Sequence, residues 1–284
     1  MITAELVRQR VKSLPSMPTT VVALGQAVAD DRCTVDRILA ILAKDPALSA
    51  TMLRLANSVM FAGDNRVADL RSALMRLGFD AILNLGRTAA ILRSYRGSQH
   101  LDAGRLWQHS VAVGLVAKGI CGLQKKPYEA DSAYLAGLLH DIGKIALDGC
   151  FTEEYEPVIA AMAAGQSCLE AERELLGVTH AEVGAMVAVS WSFPEALVTA
   201  IRDHHSASRD FLTNLVQLSD LLVRSRIPNG PSDEVLAFIL EDQPAFRVVF
   251  AGTQEADLDL ERLTFSIDDE LDHAVAFVKL AFQD

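Results

Sequence analysis

The sequence lacks the features that mark secreted, membrane and disulfide-rich proteins. Only 4 of its 284 residues are cysteine, and they lie far apart without a CxxC pair, which is typical of reduced, buried thiols in a reducing compartment. No apolar run reaches the length of a membrane span, because charged residues such as Lys44 and Lys118 interrupt each one. The first residues also lack the apolar stretch of a secretory signal. We therefore predict a cytoplasmic protein that does not associate with membranes.

Strand patterns and several common catalytic motifs are missing as well. No alternation of apolar and polar residues is long enough to predict a strand, and GxSxG, P-loop and GxGxxG motifs are absent. What the chain has is helical periodicity throughout and 50% hydrophobic residues, enough to build a core. The sequence thus predicts an all-α protein.

Charge is unevenly distributed along the chain. Residues 1–100 carry 13 Lys and Arg against 8 Asp and Glu, whereas residues 101–284 carry 13 against 29, and this asymmetry suggests two functional regions. The acidic second half disfavours contact with nucleic-acid phosphates and suits divalent cations. The basic first half has two interpretations, a docking face for a protein partner or ordinary solvated side chains. The arginines concerned are Arg54, Arg66, Arg71, Arg76, Arg87 and Arg93.

Capping residues predict many of the helix boundaries. Thr34 and the pair Asp45-Pro46 are typical helix starts, and Thr179 with Glu182 three residues later has the form of a capping box. Gly78 is expected to separate two helices, near 69–77 and 80–95. Other helices are predicted near 19–30, 104–121, 129–140, 152–164, 168–176, 211–226 and 232–241, with a last helix opened by Ser266. The polar stretch 96–104 indicates a region boundary.

Five of the seven histidines fall in predicted helices of the second half: His109, His140, His180, His204 and His205. Asp141 directly follows His140, and Asp220 lies on a later helix. Helical spacing places His140 on a stripe of small residues and His109 on an apolar face, so both are expected to point inward.

Buried imidazoles and carboxylates without partners are costly, and a metal ion removes that cost by turning each lone pair into a ligand. This donor set suits Mn, Fe, Zn, Ni or Co. The alternative for any single histidine is an ordinary hydrogen-bonded side chain, which is our interpretation of His100 and His273. His205 is less secure than His204, because adjacent helix positions differ by about 100°.

These residues carry a family resemblance. His109, His140-Asp141 and Asp220 resemble the H…HD…D pattern of the HD superfamily of metal-dependent phosphohydrolases. The segments LPSMP, DPALSATMLRLANS, GLLHDIGKIAL and HAEVGAMVAVSWSFPEALVTAIRDHH resemble the HDOD family, bacterial regulatory modules related to those hydrolases. The resemblance implies an HD-superfamily-like helical bundle preceded by an N-terminal helical subdomain. The expected regions are 1–98, the N-terminal helical region; 99–230, the metal-binding bundle; and 231–284, C-terminal helices packing on the bundle.

The ligand set also resembles that of the HD-GYP phosphodiesterases. By that resemblance, one ion would be held by His109, His140, Asp141 and Asp220. Asp141 would bridge to a second ion held by His180, His204 and His205, with Asp141 and Lys144 as the catalytic residues. One or two divalent transition-metal ions are therefore expected. The chain departs from that family after His205, where Ser-Ala-Ser-Arg-Asp replaces Gly-Tyr-Pro, so hydrolysis of cyclic di-GMP is not expected.

Two functions follow as hypotheses. The first is a regulatory, signal-transducing protein with an intact HD metal site, acting through a protein partner or by ligand sensing. The second is a metal-dependent phosphohydrolase or phosphodiesterase for a nucleotide-like phosphate ester, in which Lys144 stabilises developing negative charge. Binding of nucleic acid by the basic first half is not expected, because its basic residues are not interleaved with stacking aromatics.

Overall fold

The computed structural model describes residues 2–58, 61, 66–95, 98–226, 239–252 and 260–282. Over these residues the chain is helical and contains no strand, which confirms the all-α prediction. It divides into two compact units, Met1–Leu14 with Gly97–Leu271, and Pro15–Arg96 with Asp272–Asp284. In the part of the chain covered here, no helix has both the length and the apolar character needed to cross a bilayer.

The larger unit contains the metal-site candidates and is built from helices packed on one another. Its helices are α1 (Ala4–Val11), α6 (Ala103–Leu123), α7 (Ala130–Leu139), α8 (Ile142–Cys150), α9 (Thr152–Ala163), α10 (Cys168–Leu175), α11 (His180–Ser190), α12 (Glu195–Asp203), α13 (Phe211–Arg224) and α14 (Pro244–Val249). Helices α6 and α7 form its most extensive pair, α11 packs on α8 and α12, and α14 packs on α13.

The smaller unit contains α2 (Thr19–Val28), α3 (Val35–Leu42), α4 (Pro46–Ala56) and α5 (Leu70–Ser94). The last helix, α15 (Leu260–Phe282), contributes residues to each unit, with the division after Leu271. Buried leucine, isoleucine and methionine side chains of α2 to α5 form the core of this unit.

The capping signals read from the sequence are present in the structure. The Thr34 hydroxyl accepts a hydrogen bond from the backbone of Arg37, and the Asp45 carboxylate accepts one from Leu48. Thr179 and Glu182 form a complete capping box at the start of α11. Each of these side chains satisfies a backbone N–H that the first turn of a helix leaves without a partner.

Gly78 interrupts α5 as expected. Its φ angle is +84° inside an otherwise continuous helix, a conformation that glycine adopts without the steric cost of a Cβ atom. The prediction that the helix is interrupted at Gly78 is therefore confirmed, and the two helical segments on either side of it together form α5.

The structure differs from the sequence-based expectation at two places. The last helix begins at Leu260 rather than at Ser266, so the serine lies inside the helix; a Ser with Asp three residues later resembles a cap but does not force one. Helix α8 was not predicted, since the stretch after Asp141 carries two glycines.

The helix predicted near 232–241 lies outside the described residues, except for a 3₁₀ turn at Leu240–Asp242. The three regions 1–98, 99–230 and 231–284 stay a prediction.

Helices α6 and α7 approach each other through two glycines. A Cβ atom on Gly137 would lie 2.6 Å from Cα of Gly114, and one on Gly114 would lie 2.7 Å from the carbonyl oxygen of Tyr134. Such distances are too short for any side chain, so the close contact requires glycine at both positions. The contact brings the helix carrying His109 against the helix that ends at His140.

Several arginines of the smaller unit are engaged within that unit. Arg54 donates to the Thr51 hydroxyl, Arg76 donates to the carbonyl of Ala56, and Arg71 pairs with Asp36. These local contacts give a structural role to several of the basic residues in the first half of the chain. A protein-docking face there stays a prediction.

Candidate metal centre

All seven candidate ligands lie in the larger unit, most of them at helix ends. His109 lies within α6 and Asp220 within α13. The other five lie at or beside helix termini: His140 and Asp141 between α7 and α8, His180 at the first position of α11, and His204 and His205 after the last residue of α12. Five of the seven are almost completely buried. The structure therefore brings together every residue that the sequence nominated.

Asp141 lies at the centre of the cluster and presents its two carboxylate oxygens to different imidazoles. Oδ2 is 3.4 Å from Nε2 of His140 and 3.9 Å from Nε2 of His109. Oδ1 is 3.3 Å from Nε2 of His180 and 3.9 Å from Nε2 of His204. A carboxylate oriented in this way can contribute one oxygen to each of two neighbouring ions.

The first group of ligand atoms comprises His109, His140 and Asp220. Nε2 of His109 is 3.0 Å from Oδ1 of Asp220, and Nε2 of His140 is 3.8 Å from the same oxygen. Two ligands of a single ion at bond lengths near 2.1 Å are about 3.0 to 3.4 Å apart. The spacing in this group is thus close to that of a metal site.

The second group comprises Asp141, His180, His204 and His205. Nε2 of His180 is 2.9 Å from Nε2 of His205, and the ring centroids of His204 and His205 are 3.9 Å apart. Helix α12 ends at Asp203, so the 100° step between neighbouring helix positions does not separate the two histidines. This explains why His205, the less secure candidate, also faces the cluster.

Three buried ligand atoms have no hydrogen-bond partner among the described residues: Nε2 of His140, Nε2 of His204 and Oδ1 of Asp141. Buried polar atoms are satisfied in the great majority of cases, and each exception requires an explanation. All three atoms face the interior of the cluster, and imidazole nitrogen with carboxylate oxygen is a donor set for divalent transition metals. The residues present therefore fit a metal centre.

Two of the histidines, His140 and His204, are oriented by hydrogen bonds from their outer ring nitrogens. Nδ1 of His140 donates to the carbonyl of Gly137 at 2.7 Å, and Nδ1 of His204 donates to the carbonyl of Ile201 at 2.7 Å. These bonds place the ring proton on Nδ1 and leave the Nε2 lone pair directed into the cluster.

His180 is oriented by a carboxylate that the sequence analysis did not identify. Oε2 of Glu172 accepts from Nδ1 of His180 at 2.6 Å and from its backbone N–H at 2.7 Å. Oε1 accepts from the Tyr155 hydroxyl at 3.1 Å and from the thiol of Cys168 at 3.4 Å. Glu172 is fully buried. Because its oxygens already have these donors, we interpret it as an outer support for His180 rather than as a ligand of a separate ion.

A sequence signal for Glu172 existed but was weak. It lies four residues after Cys168 and eight before His180, on a helix whose neighbouring glutamates are exposed. Only the position of Glu172 on the apolar stripe with Cys168 and Ala171 indicates burial.

The carboxylates of the cluster favour their charged form. Burial alone would raise the pKa of Asp141, but the neighbouring charges of His140 and Lys144 hold it well below the usual range. Burial likewise opposes ionisation of Asp220, and the hydrogen bond from His109 outweighs it and lowers the pKa. Both groups are therefore available as anionic ligands at neutral pH.

The imidazoles differ sharply from one another. Burial would lower the pKa of His180, but the charge of Glu172 raises it to about 10. Burial and then His180 lower the pKa of His205 to about 3, and burial together with His205 lowers that of His204 well below the usual value. In the absence of an ion, His204 and His205 are consequently neutral and ready to coordinate one.

Two cationic side chains border the cluster. Nζ of Lys144 lies 2.8 Å from Oδ2 of Asp141, and an Nη atom of Arg224 lies 3.5 Å from Oδ2 of Asp220. Lys144 was nominated from the sequence, whereas Arg224 was not. Both can meet negative charge on a ligand that approaches the carboxylates.

Close packing at Gly143 holds α8 against α11. A Cβ atom on Gly143 would lie only 1.9 Å from the carbonyl oxygen of His180, so no other residue fits without movement of the backbone. This contact sets the distance between Asp141, at the start of α8, and His180, at the start of α11.

The two remaining histidines lie outside the cluster. Nδ1 of His100 is 2.7 Å from Oδ1 of Asp148, and the buried Asp148 also accepts from the backbone of Gln99 and from the hydroxyl of Ser98. His273 lies on α15. His100 is therefore hydrogen-bonded to Asp148, in agreement with its interpretation as an ordinary hydrogen-bonded residue.

An all-α bundle that collects five imidazoles and two carboxylates in one unit defines a helical protein with a candidate metal centre. The family model of the HDOD domain matches residues 14–207, more than half of the chain. The protein belongs to the HDOD family. Asp220 lies beyond the matched residues.

Comparison with solved structures shows the same fold. An HDOD domain protein of unknown function from Geobacter sulfurreducens superposes with a TM-score of 0.84 at 24% identity, over 99% of this chain and 98% of that one. A candidate phosphohydrolase from Shewanella amazonensis SB2B gives 0.77 at 23%, over 97% and 98%. A candidate signal transduction protein from Marinobacter aquaeolei VT8 gives 0.75 at 23%, over 96% and 60%.

Among curated sequences, an uncharacterised protein of Treponema pallidum (strain Nichols) is 26% identical over 212 residues. The match covers 72% of this chain but 40% of the Treponema protein. The chain thus spans less than half the length of this curated relative.

Proposed function

We propose that this protein is an HDOD-type regulatory module with an intact HD metal centre that senses a phosphate-ester ligand and transmits the signal through a protein partner. The observation that carries the proposal is the orientation of Asp141, whose two oxygens face two separate sets of imidazoles. Two adjacent divalent ions sharing this carboxylate would use all seven ligands. They would also give a partner to the buried Nε2 atoms of His140 and His204, which have no hydrogen-bond partner among the described residues.

The ligand assignment divides around Asp141. His109, His140 and Asp220 would hold one ion together with Oδ2, and His180, His204 and His205 would hold the other together with Oδ1. Phosphate esters are the natural ligand of such a pair, because adjacent cations bind two phosphate oxygens at once. Fe, Mn, Ni, Zn and Co all suit the donors.

A second candidate function, hydrolysis of the bound ester, is favoured by the position of Lys144. Its ammonium group lies against Asp141, where negative charge would develop on a phosphate during attack by water. When bound, a pair of divalent ions lowers the pKa of a coordinated water and so supplies hydroxide at neutral pH. The protein would then orient the ester through Lys144 and Arg224.

Metal analysis and turnover separate these candidates. Protein purified without a histidine tag should contain one to two divalent ions per chain by elemental analysis, and Asp141→Ala should lose them. Asp131→Ala, an exposed carboxylate on α7 of the same unit, is the matched control and should keep its metal. Retention of full metal content by Asp141→Ala would refute the assignment.

The second measurement uses bis-p-nitrophenyl phosphate and p-nitrophenyl phosphate with the metal-loaded protein. Turnover that disappears in Asp141→Ala and falls in Lys144→Gln would support hydrolysis. Full metal occupancy without turnover of either ester would support the regulatory function alone.

A further inference from the structure

A small cleft opens at one edge of the metal centre. Its volume is about 120 Å³, and His204, His205 and Asp220 form its inner wall. The outer wall consists of residues of α13 and of the chain entering α14, at positions 243–245. The cleft lies entirely in the larger unit. Because three candidate metal ligands line it, a molecule bound in the cleft would lie beside the ions.

Beyond the metal ligands, the polar side chains of this wall are hydrogen-bond donors. Arg224, Gln217 and Gln243 line it, and Asp220 is the only carboxylate among the described residues that line it. Arg224 is partly exposed, with 24% of its side-chain surface accessible. A guanidinium flanked by amides recognises an anion with several acceptor oxygens, of which a phosphate group is the common biological example.

The size of the cleft restricts what can enter. Pockets that enclose a drug-sized ligand measure about 300 Å³ or more, and 120 Å³ corresponds to the space of roughly four water molecules. A phosphate group fits that space. The sugars and bases that flank each phosphorus of a cyclic dinucleotide on both sides would have to lie outside this space.

The outer wall lies beyond the residues that define the family match. Gln217, Arg224 and Gln243 all follow position 207, where the HDOD match ends. The selectivity of this cleft is consequently a property of the C-terminal part of this chain.

We propose that the cleft is a subsite for the terminal phosphate of a phosphomonoester, with Arg224 as its principal binding residue. This inference rests on the proposed function, since it places the phosphate beside the same ions. It predicts weaker binding of cyclic dinucleotides and internal phosphodiesters than of phosphomonoesters, a specificity that the metal ligands alone do not provide.

The first test measures binding of inorganic phosphate to the metal-loaded protein by titration calorimetry. Arg224→Gln should weaken binding roughly ten- to a hundredfold, the loss expected for a charge-assisted hydrogen bond, whereas Arg224→Lys should retain part of the affinity. Arg202→Gln is the matched control, because Arg202 pairs with Asp203 near His204 but does not line the cleft. Metal content and melting temperature are recorded for each variant.

The second test compares competitors of bound phosphate. Adenosine 5′-monophosphate should displace it at least about tenfold more effectively than cyclic di-GMP. Equal or better competition by the cyclic dinucleotide, or undiminished phosphate binding by Arg224→Gln with its metal in place, would overturn the inference. Metal-loaded wild-type protein that binds no phosphate would overturn it while leaving the metal centre intact, and wild-type protein that takes up no metal would overturn the proposed function as well.

Discussion

Oε2 of Glu172 and Nδ1 of His180 lie 2.6 Å apart in the interior of the larger unit. When Nε2 gives up its proton to bind an ion, the contact would keep the remaining ring proton on Nδ1 and direct the lone pair of Nε2 into the cluster. His140 and His204 obtain the same orientation from backbone carbonyls. His180 is thus the ligand whose orientation can be altered by a single side-chain substitution, and its carboxylate partner makes it a stronger donor.

We therefore expect Glu172→Gln to weaken metal binding by about ten- to a hundredfold. The glutamine amide can donate to Nδ1 of His180 and thereby select the tautomer that points a proton at the ion. Titration of the metal-free protein with Mn²⁺ or Zn²⁺ measures the effect. Glu170→Gln, an exposed residue on the same helix, should bind metal like the wild type. Unchanged affinity in Glu172→Gln would show that the contact does not orient His180.

A pair of glycines on α8 offers a matched test of close packing. Gly143→Ala should destabilise the protein by at least about 3 kcal/mol and reduce metal content, because the new methyl group would overlap the carbonyl oxygen of His180. Gly149→Ala on the same helix meets nothing within 4 Å and should be neutral or stabilise by about 0.5–1 kcal/mol. Chemical denaturation of both variants checks this. Similar stabilities would mean that α8 and α11 can separate freely.

Asp148 is expected to matter for stability and not for metal. It is fully buried, and its loss leaves the backbone N–H of Gln99 and the ring of His100 without their acceptor. Asp148→Ala should cost about 3–5 kcal/mol of unfolding free energy, with metal content per folded chain unchanged. The exposed Asp131→Ala should stay within about 0.5 kcal/mol of the wild type. Loss of metal from folded Asp148→Ala would place this residue in the site.

The stability of the metal-free protein should be greatest near pH 6.5, the ordinary pKa of histidine. Because the charge of Glu172 outweighs burial and raises the pKa of His180 to about 10, the stability that His180 contributes is complete below 6.5 and is lost as pH rises towards 10. Burial and His180 lower the pKa of His205 to about 3. His205 therefore remains neutral in the folded protein, and stability falls as pH drops from 6.5 towards 3.

Melting temperatures followed by circular dichroism in the presence of a chelator test this dependence. They should decline on both sides of pH 6.5, and His180→Asn should abolish much of the alkaline decline. An alkaline decline of the same size in that variant would assign it to other groups.

The helix starts that are marked by capping residues were the most predictable part of the fold. Thr34, Asp45 and Thr179 each accept a hydrogen bond from a backbone N–H three residues away, so a local pattern is sufficient to identify them. Helix α8 and the start of α15 were not foreseen. Two glycines lower the helix propensity of α8, and its stability comes from packing on α11, which no local pattern reports.

The candidate site shows the same division. Residue type and order, together with the family resemblance that they carry, were enough to nominate seven ligands and Lys144, whereas Arg224 and Glu172 were missed. An arginine or glutamate on a helix is usually a solvated surface residue. Only the fold shows that Arg224 borders a cleft at the ligands and that Glu172 is buried behind His180.

By itself, the sequence determined an all-α chain, its main helix starts and the set of groups able to bind a metal, because these depend on residue type and short-range spacing. The tertiary structure alone decided that Asp141 faces two groups of imidazoles, that His205 joins His204, and that Glu172 supports His180. Those relationships arise where separate helices meet at Gly143 and at the Gly114–Gly137 contact, and the distance between residues far apart in the chain is set by packing rather than by their order.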